Sequence, residues 1–169
     1  MSGPTPVTAT SEPGSEGSSW RVRAAEPKDS DAIATAVAEL LSELGATPPP
    51  AQAMQRTART LIEDPKAGAL FVAEADGMLV GVLSASLQSA IHIPGRYALI
   101  QDLWVHSAWR SRAIGRALLA ALIDHVRELD LARIEVGLPK EDFGGLPATT
   151  AFYRANGFTP LGPRMRWIA

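Results

Sequence analysis

The feature that most constrains the fold is a strand that leads through a tight turn directly into a helix. Residues 97–105 form an apolar stretch typical of a central strand, and residues 114–126 carry apolar side chains at helical spacing. The turn and the first residues of the helix hold Arg110, Arg112 and Arg116. The first turn of a helix has unpaired backbone N–H groups and a partial positive charge, which together favour phosphate. The segment therefore predicts a site for a phosphorylated ligand whose remainder lies along the strand.

The periodicity of the other segments predicts one mixed sheet with helices on its faces, an α/β fold. The element order is β-α-α-β-β-β-α-β-α-β-β. Asp76-Gly77 predicts a hairpin turn, and residues 92–96 are expected to form a loop. The predicted strands are 20–24, 71–74, 78–87, 97–105, 134–138, 158–161 and 165–168, and the predicted helices are 29–44, 51–63, 113–129 and 147–156.

The length and composition indicate one domain. Residues 1–19 are rich in Ser, Thr, Gly, Pro and Glu and predict a flexible tail, which leaves residues 20–169 as a single domain. The net charge of −2 argues against binding to nucleic acid or to a membrane surface.

Several further classes of function are excluded by what the sequence lacks. The chain has no cysteine, so disulfides, thiolate catalysis and zinc–thiolate sites are excluded. The histidines at 92, 106 and 125 are too scattered for a metal site, and we predict none. No apolar run approaches the ~20 residues of a membrane span, and the first residues lack a secretory pattern. We therefore expect a cytoplasmic protein.

Two segments carry a resemblance to a known family. Residues 110–115 (Arg-Ser-Arg-Ala-Ile-Gly) are similar to an Arg/Gln-x-x-Gly-x-Gly/Ala pyrophosphate loop, and residues 151–158 (Ala-Phe-Tyr-Arg-Ala-Asn-Gly-Phe) to a late helix ending in Gly-Phe. With the strand order, both resemble the GNAT superfamily of acyl-CoA-dependent N-acetyltransferases over residues 20–167. Ala113 stands at the first glycine of the motif, and the loop should tolerate alanine there if its φ is negative. A register shifted by two, from Arg112 to Ala117, also fits the pattern.

This resemblance implies a splayed mixed sheet that binds acetyl-CoA as co-substrate without a metal. The backbone of Leu103 and Val105 would pair with the pantetheine arm, and N–H groups from Arg110 to Arg116 would bind the pyrophosphate. An N–H at a bulge within 103–105 would face the thioester carbonyl. The implied cofactor-binding residues are Leu103, Trp104, Val105, Arg110, Ser111, Arg112, Ala113, Ile114, Gly115 and Arg116.

The catalytic candidates are Tyr153 and Asp102. A phenol with a pKa of ~10 stays protonated at neutral pH and can donate a proton to the departing thiolate. Relatives often carry Glu-Asp where this chain has Gln101-Asp102, and glutamine cannot accept a proton. Asp102 could act as base through a water, or a water chain could remove the proton without a dedicated base. Because side chains alternate along a strand, residues 101 and 102 are expected to face opposite sides of the sheet.

The leading interpretation is an N-acetyltransferase that moves the acetyl group to a primary amine by direct attack in a ternary complex. The alternative is a CoA-binding module with little or no turnover, which Gln101, Ala113 and Leu146 motivate by departing from the family pattern. A nucleotide binder is disfavoured because both glycine-rich phosphate motifs are absent. Dimers are common in the family, so the outer strands near Trp167 could pair two copies.

Overall fold

The computed structural model describes residues 19–168, so the predicted tail lies almost wholly outside the described residues. The chain divides into two compact units, of which the first ends at Glu135 and the second begins at Val136. The strands are β1 (Trp20–Ala24), β2 (Gly68–Ala75), β3 (Met78–Ala90), β4 (Ile93–Val105) and β5 (Ile134–Val136), and the helices are α1 (Ser30–Glu43), α2 (Ala51–Glu63), α3 (Ile114–Glu128) and α4 (Leu146–Ala155).

The strands form one sheet in the order β1-β2-β3-β4-β5, in which β1 to β4 are antiparallel neighbours. One face packs on α1 and α2, and this part of the core contains Val82, Trp104 and Ile33. The other face packs on α3. A Cβ atom added at Gly81 would lie 2.9 Å from Ile114 Cγ2 and 3.0 Å from Leu118 Cδ1, so the missing side chain lets the start of α3 approach the sheet closely.

Most of the predicted elements are confirmed, and with them the α/β fold class. The second helix spans Ala51–Glu63 as predicted, and the first ends just before Gly45, whose φ is +73°. Asp76 and Gly77 both have positive φ, at +50° and +76°, which is the backbone of a type I′ hairpin turn. Local sequence chemistry therefore determines these boundaries.

Two predictions about strands are wrong. The loop expected at residues 92–96 belongs largely to β4, which begins at Ile93 and accommodates Gly95 with a φ of +80°. The two final strands are not formed, because residues 158–168 contain neither helix nor strand. Their alternating pattern needs a paired neighbour to form a strand, whereas Met165 and Trp167 are exposed.

The second unit, described by itself, contains α4 and the turn that follows it. Gly157 has a φ of +88°, and the Phe158 N–H donates to the Tyr153 carbonyl at 3.0 Å, which ends the helix as the Gly-Phe pattern predicts. The Tyr153 ring is buried, 5.2 Å from the ring centroids of both Phe152 and Phe158. Packing on these two rings positions the phenol.

Candidate active site

The start of α3 presents unpaired backbone amides, as the sequence predicts. The first hydrogen bond of the helix runs from the Ala117 N–H to the Ala113 carbonyl at 3.0 Å. The amides of Ile114, Gly115 and Arg116 therefore precede the first intrahelical donor. Ile114 is only 1% exposed, and this burial fixes the helix end against the sheet. The first turn can thus act as a rigid anion-binding site.

Ala113 adopts a left-handed backbone with a φ of +62°, so the condition under which the turn would tolerate alanine without strain is not met. Ala113 precedes the first residue of α3, and this position requires the chain to reverse into the helix. A Cβ atom there costs about 1 kcal/mol, which is the physical reason for glycine at this place in the motif. The left-handed residue falls where the unshifted register, Arg110 to Gly115, puts the first glycine.

The arginines of the turn have different partners. Arg110 donates from Nε to the Val105 carbonyl at 3.1 Å and from Nη2 to both carboxylate oxygens of Glu43 at 2.7 and 2.8 Å. Within residues 19–168, Nη1 of Arg110 makes no hydrogen bond. The Arg112 guanidinium stacks 4.9 Å from the centroid of the Trp109 ring. Arg110 therefore links the end of β4 to the last residue of α1 and keeps one nitrogen for a ligand.

The end of β4 leaves an edge of backbone groups unpaired with β3. The His106 N–H donates to the Val80 carbonyl at 3.0 Å, and backbone groups alternate in direction along an antiparallel strand. Trp104 therefore points its backbone at Val82, its partner in the register, while Leu103 and Val105 point theirs away from β3. The indole of Trp104 is buried in the core. Of the three strand residues predicted to bind the cofactor, Leu103 and Val105 turn their backbone groups away from β3, whereas Trp104 turns its backbone groups toward β3.

A bulge lies at Gln101, two residues before the segment in which it was expected. Ser84 pairs with Asp102 and Ala85 pairs with Ile100, which leaves Gln101 as the extra residue of β4. Gln101 Nε2 donates to Ser86 Oγ at 2.8 Å, and Ser84 Oγ donates to Asp102 Oδ2 at 2.5 Å.

The bulge also changes the direction of two side chains. Ser84 and Ser86 are two residues apart and face the same side of β3. Since Gln101 bonds one serine and Asp102 the other, their side chains share that side. The prediction that they face opposite sides is wrong, because the extra residue breaks the alternation.

Asp102 is a partly buried carboxyl with one hydrogen-bond donor. Burial raises its pKa above the ordinary value, and the hydrogen bond from the Ser84 hydroxyl opposes this shift. The serine itself is 3% exposed. A carboxylate with a raised pKa is a better proton acceptor than an exposed one, so Asp102 remains a candidate base.

Tyr153 lies in the second unit, on α4. Burial raises the pKa of its phenol to about 12, so the hydroxyl stays protonated at neutral pH. A protonated phenol can donate to a developing thiolate.

Three further features of the described residues concern metal ligands, His106 and membrane spans. No group of three or more His, Asp or Glu side chains within residues 19–168 could hold a metal ion. Nδ1 of His106 accepts from the Ala108 N–H at 3.2 Å, so this imidazole caps a short turn. In the same part of the chain, no helix is long and apolar enough to cross a lipid bilayer.

Sequence reasoning missed three polar residues of β3 and the contact between Glu43 and Arg110. Ser84, Ser86 and Gln88 stand at a spacing of two in a strand whose neighbours are apolar, and this pattern was the signal that could have found them. Glu43 is 67 residues from Arg110, so no local pattern connects the two.

Comparison with known proteins identifies the family. The profile of the acetyltransferase (GNAT) family matches residues 35–158, which is more than half of the chain. The chain therefore belongs to the GNAT acetyltransferases, a family of acetyl-CoA-dependent acyltransferases. No curated protein matches the sequence.

Solved structures share the fold at low sequence identity. An aminoglycoside N-acetyltransferase in complex with CoA superposes with a TM-score of 0.74 at 16% identity, covering 91% of this chain and 97% of its own. A predicted acetyltransferase with acetyl-CoA from Clostridium acetobutylicum gives 0.73 at 15% identity, with 88% and 96% covered. Glucosamine-6-phosphate N-acetyltransferase from Arabidopsis thaliana gives 0.71 at 16% identity, with 89% and 98% covered. The identities show a common fold and leave the acceptor of this chain open.

Proposed function

We propose that this protein transfers the acetyl group of acetyl-CoA to a primary amine, by direct attack within a ternary complex. One observation carries the proposal: the unpaired amides of Ile114–Arg116 follow an outward-facing strand edge at Leu103 and Val105. Such an arrangement suits a ligand with a diphosphate at one end and an amide-containing arm along the strand. Acetyl-CoA has this composition.

In the proposed complex the diphosphate lies at the first turn of α3. The amides from Ser111 to Arg116 donate to its oxygens, whereas the Arg110 amide already bonds the Ser107 carbonyl, and Nη1 of Arg110 adds a charged donor. Ser111, which also has a positive φ of +62°, belongs to this turn. The pantetheine arm pairs with the backbone of Leu103 and Val105.

The proposed reaction needs a base, an oxyanion donor and an acid. The amine gives its proton to the Asp102 carboxylate, directly or through a water, and its nitrogen attacks the thioester carbonyl. The outward Leu103 N–H, the first one after the bulge, stabilises the oxyanion that forms. The C–S bond then breaks, Tyr153 donates its proton to the departing sulfur, and the second proton of the attacking nitrogen passes through water to the tyrosinate, which leaves a neutral amide and a thiol. The tyrosine's part rests on the family resemblance and on its protonated state.

A CoA-binding module with little turnover remains the second candidate. Gln101 favours it, because this side chain stands where relatives often have glutamate and is bound to Ser86 by a hydrogen bond.

We also propose a cytoplasmic homodimer with residues 20–169 as a single domain. The exposed side chains of Met165, Trp167 and Ile168 support a contact between copies.

Thiol release from acetyl-CoA, measured over a panel of primary amines beside calorimetric binding of CoA, tests the proposal. We expect turnover with at least one amine, and a fall in kcat of about a hundredfold or more in Tyr153→Phe and in Asp102→Asn with CoA affinity unchanged. CoA binding without turnover on any amine would favour the module, and an absence of CoA binding would remove both candidates.

A further inference from the structure

We infer that Gln88 and Gln101, joined through Ser86, form the subsite that binds the N–H groups of the acceptor amine. This inference rests on the proposed function and names the part of the site that receives the acceptor. Its basis is the hydrogen-bond geometry of side chains on β3 and β4, which is independent of the turn at residues 110–116.

The Ser86 hydroxyl accepts two amide hydrogen bonds. Gln88 Nε2 lies 2.9 Å and Gln101 Nε2 lies 2.8 Å from Ser86 Oγ. A hydroxyl has one proton and two lone pairs, so at most one of the two amides could present its oxygen to it. At least one glutamine must therefore donate its NH₂ to the serine and turn its carbonyl oxygen away. In the geometry observed both do so, and neither oxygen accepts a hydrogen bond within residues 19–168.

These oxygens lie on the same side of the sheet as Asp102. Ser84 and Ser86 are separated by two residues of strand, about 7 Å. Asp102 bonds Ser84, and both glutamines bond Ser86. Ser84, Ser86, Gln88, Gln101 and Asp102 form a polar row on this side of the sheet. Exposure increases along the row, from Ser84, which is 3% exposed, to Gln101, which is exposed. The row thus extends from the partly buried carboxyl of Asp102 to solvent, and its length is similar to that of a short alkylamine.

The chemistry of the row selects its ligand. Two amide oxygens and one carboxylate accept hydrogen bonds, and the row contains no cationic side chain. An ammonium group fits such a set because it donates three hydrogen bonds and accepts none. A primary alkylamine can bond the amide oxygens and then pass a proton to Asp102, whereas a quaternary ammonium has the charge without the donors.

The test uses the full-length protein with n-butylamine, 1,5-diaminopentane and Nα-acetyl-lysine amide as probes. Binding is measured by calorimetry at saturating CoA, and KM by thiol release from acetyl-CoA. In Ser86→Ala the apparent amine affinity or KM should worsen about tenfold, because both amides lose their anchor, with the KM for acetyl-CoA unchanged. Gln88→Leu with Gln101→Leu should give at least the same loss. The matched control is Ser89→Ala, on the opposite face of the same strand.

A second arm separates charge from hydrogen bonding. Trimethylbutylammonium should bind the wild type at least tenfold more weakly than n-butylamine. Gln101→Glu keeps an oxygen acceptor and should retain or improve amine affinity. Melting temperatures of all variants show whether each is folded.

The outcomes distinguish this inference from the proposed function. Amines that are acetylated with equal KM by Ser86→Ala and Ser89→Ala would overturn the subsite and leave the reaction standing. Thiol release absent for every amine, with calorimetric binding lost only in the Ser86 and glutamine variants, would support the subsite and overturn the reaction. Failure of all three amines to bind wild-type protein would overturn the subsite, as would quaternary ammonium binding as tight as that of n-butylamine.

Discussion

The two ends of α1 are each held by an arginine, and the two arginines have opposite surroundings. Near the N-terminus, Arg23 donates two hydrogen bonds to Asp29 at 2.7 and 3.0 Å and one to Glu74 at 2.9 Å. Its side chain is only 19% exposed. At the C-terminus, Arg110 bonds Glu43, and the two side chains are 49% and 43% exposed.

This difference suggests that the contacts of Arg23 are structural and that Arg110 is the arginine accessible to a ligand. The Arg23 cluster is satisfied internally, and the carboxylates in turn hold the Arg23 pKa above its ordinary value. A half-exposed ion pair such as Arg110–Glu43 contributes little stability, because water and salt screen it. The proposed contact with a phosphate therefore suits Arg110, whereas the donors of Arg23 already bond Asp29 and Glu74.

The same substitution to methionine at each arginine tests whether their roles differ, and Arg23→Met has the larger expected effect on stability. It should lower the free energy of unfolding by about 2–3 kcal/mol, because Asp29 and Glu74 lose their charged donor in a poorly solvated place. Denaturant unfolding measures this. The control is Arg21→Met on the same strand. The Arg21 side chain is 59% exposed and its Nη2 lies 3.5 Å from Glu74, so we expect a loss below about 0.5 kcal/mol. Equal losses in both variants would contradict the account.

The Arg23 contribution should also depend on pH. Arg23 lowers the pKa of Asp29 and of Glu74 in the folded protein. Their contribution is therefore full above the unfolded-state pKa of about 4 and disappears as the pH falls through the lower folded values. Unfolding curves from pH 7 to pH 2 should show wild type and Arg23→Met converging below about pH 4. A constant difference down to pH 2 would contradict the assignment.

At the other end of α1, Arg110→Met should weaken CoA binding about tenfold, with a change in unfolding free energy below about 0.5 kcal/mol. Isothermal titration with CoA at low and moderate salt measures the affinity. Arg23→Met, measured below its melting temperature, serves as the control and should bind CoA like the wild type. Unchanged affinity in Arg110→Met would show that this guanidinium does not contact the ligand.

The smallest expected effect comes from Ala113→Gly. Removing the Cβ from a residue with a φ of +62° should stabilise the protein by up to about 1 kcal/mol, offset in part by the greater freedom of glycine in the unfolded chain. Thermal unfolding measures the gain. The same substitution at Ala117, inside α3, is the matched control and should destabilise by about 1 kcal/mol. Destabilisation at both positions would contradict a strained Ala113.

The sequence predicted what local chemistry decides. The bounds of α2, the Asp76-Gly77 turn and the strand–turn–helix at residues 105–114 follow from spacing, turn residues and helix stops. The failures have a common cause, which is pairing between distant segments. The bulge at Gln101 arises from the register with β3, and a single strand bears no mark of it.

Two other misses depend on structure around the segment rather than on its own residues. The terminal stretch 158–168 alternates like a strand, yet an alternating pattern specifies a strand only where a neighbour pairs with it. The backbone sign at Ala113 depends on how the turn enters a helix already fixed by Ile114, and alanine in the sequence favours the opposite sign. The sequence thus predicted the position of the candidate site along the chain. The directions of its side chains and backbone groups could be known only from the register of the sheet.

The proposed function depends on binding of the CoA diphosphate at the first turn of α3. Two-dimensional amide NMR of the protein, titrated with CoA and separately with pantetheine, tests this binding. We predict large shifts of the Ile114, Gly115 and Arg116 amides with CoA and small ones with pantetheine, which has no diphosphate. Shifts confined to other regions, or equal shifts of these three amides with both ligands, would contradict the claim.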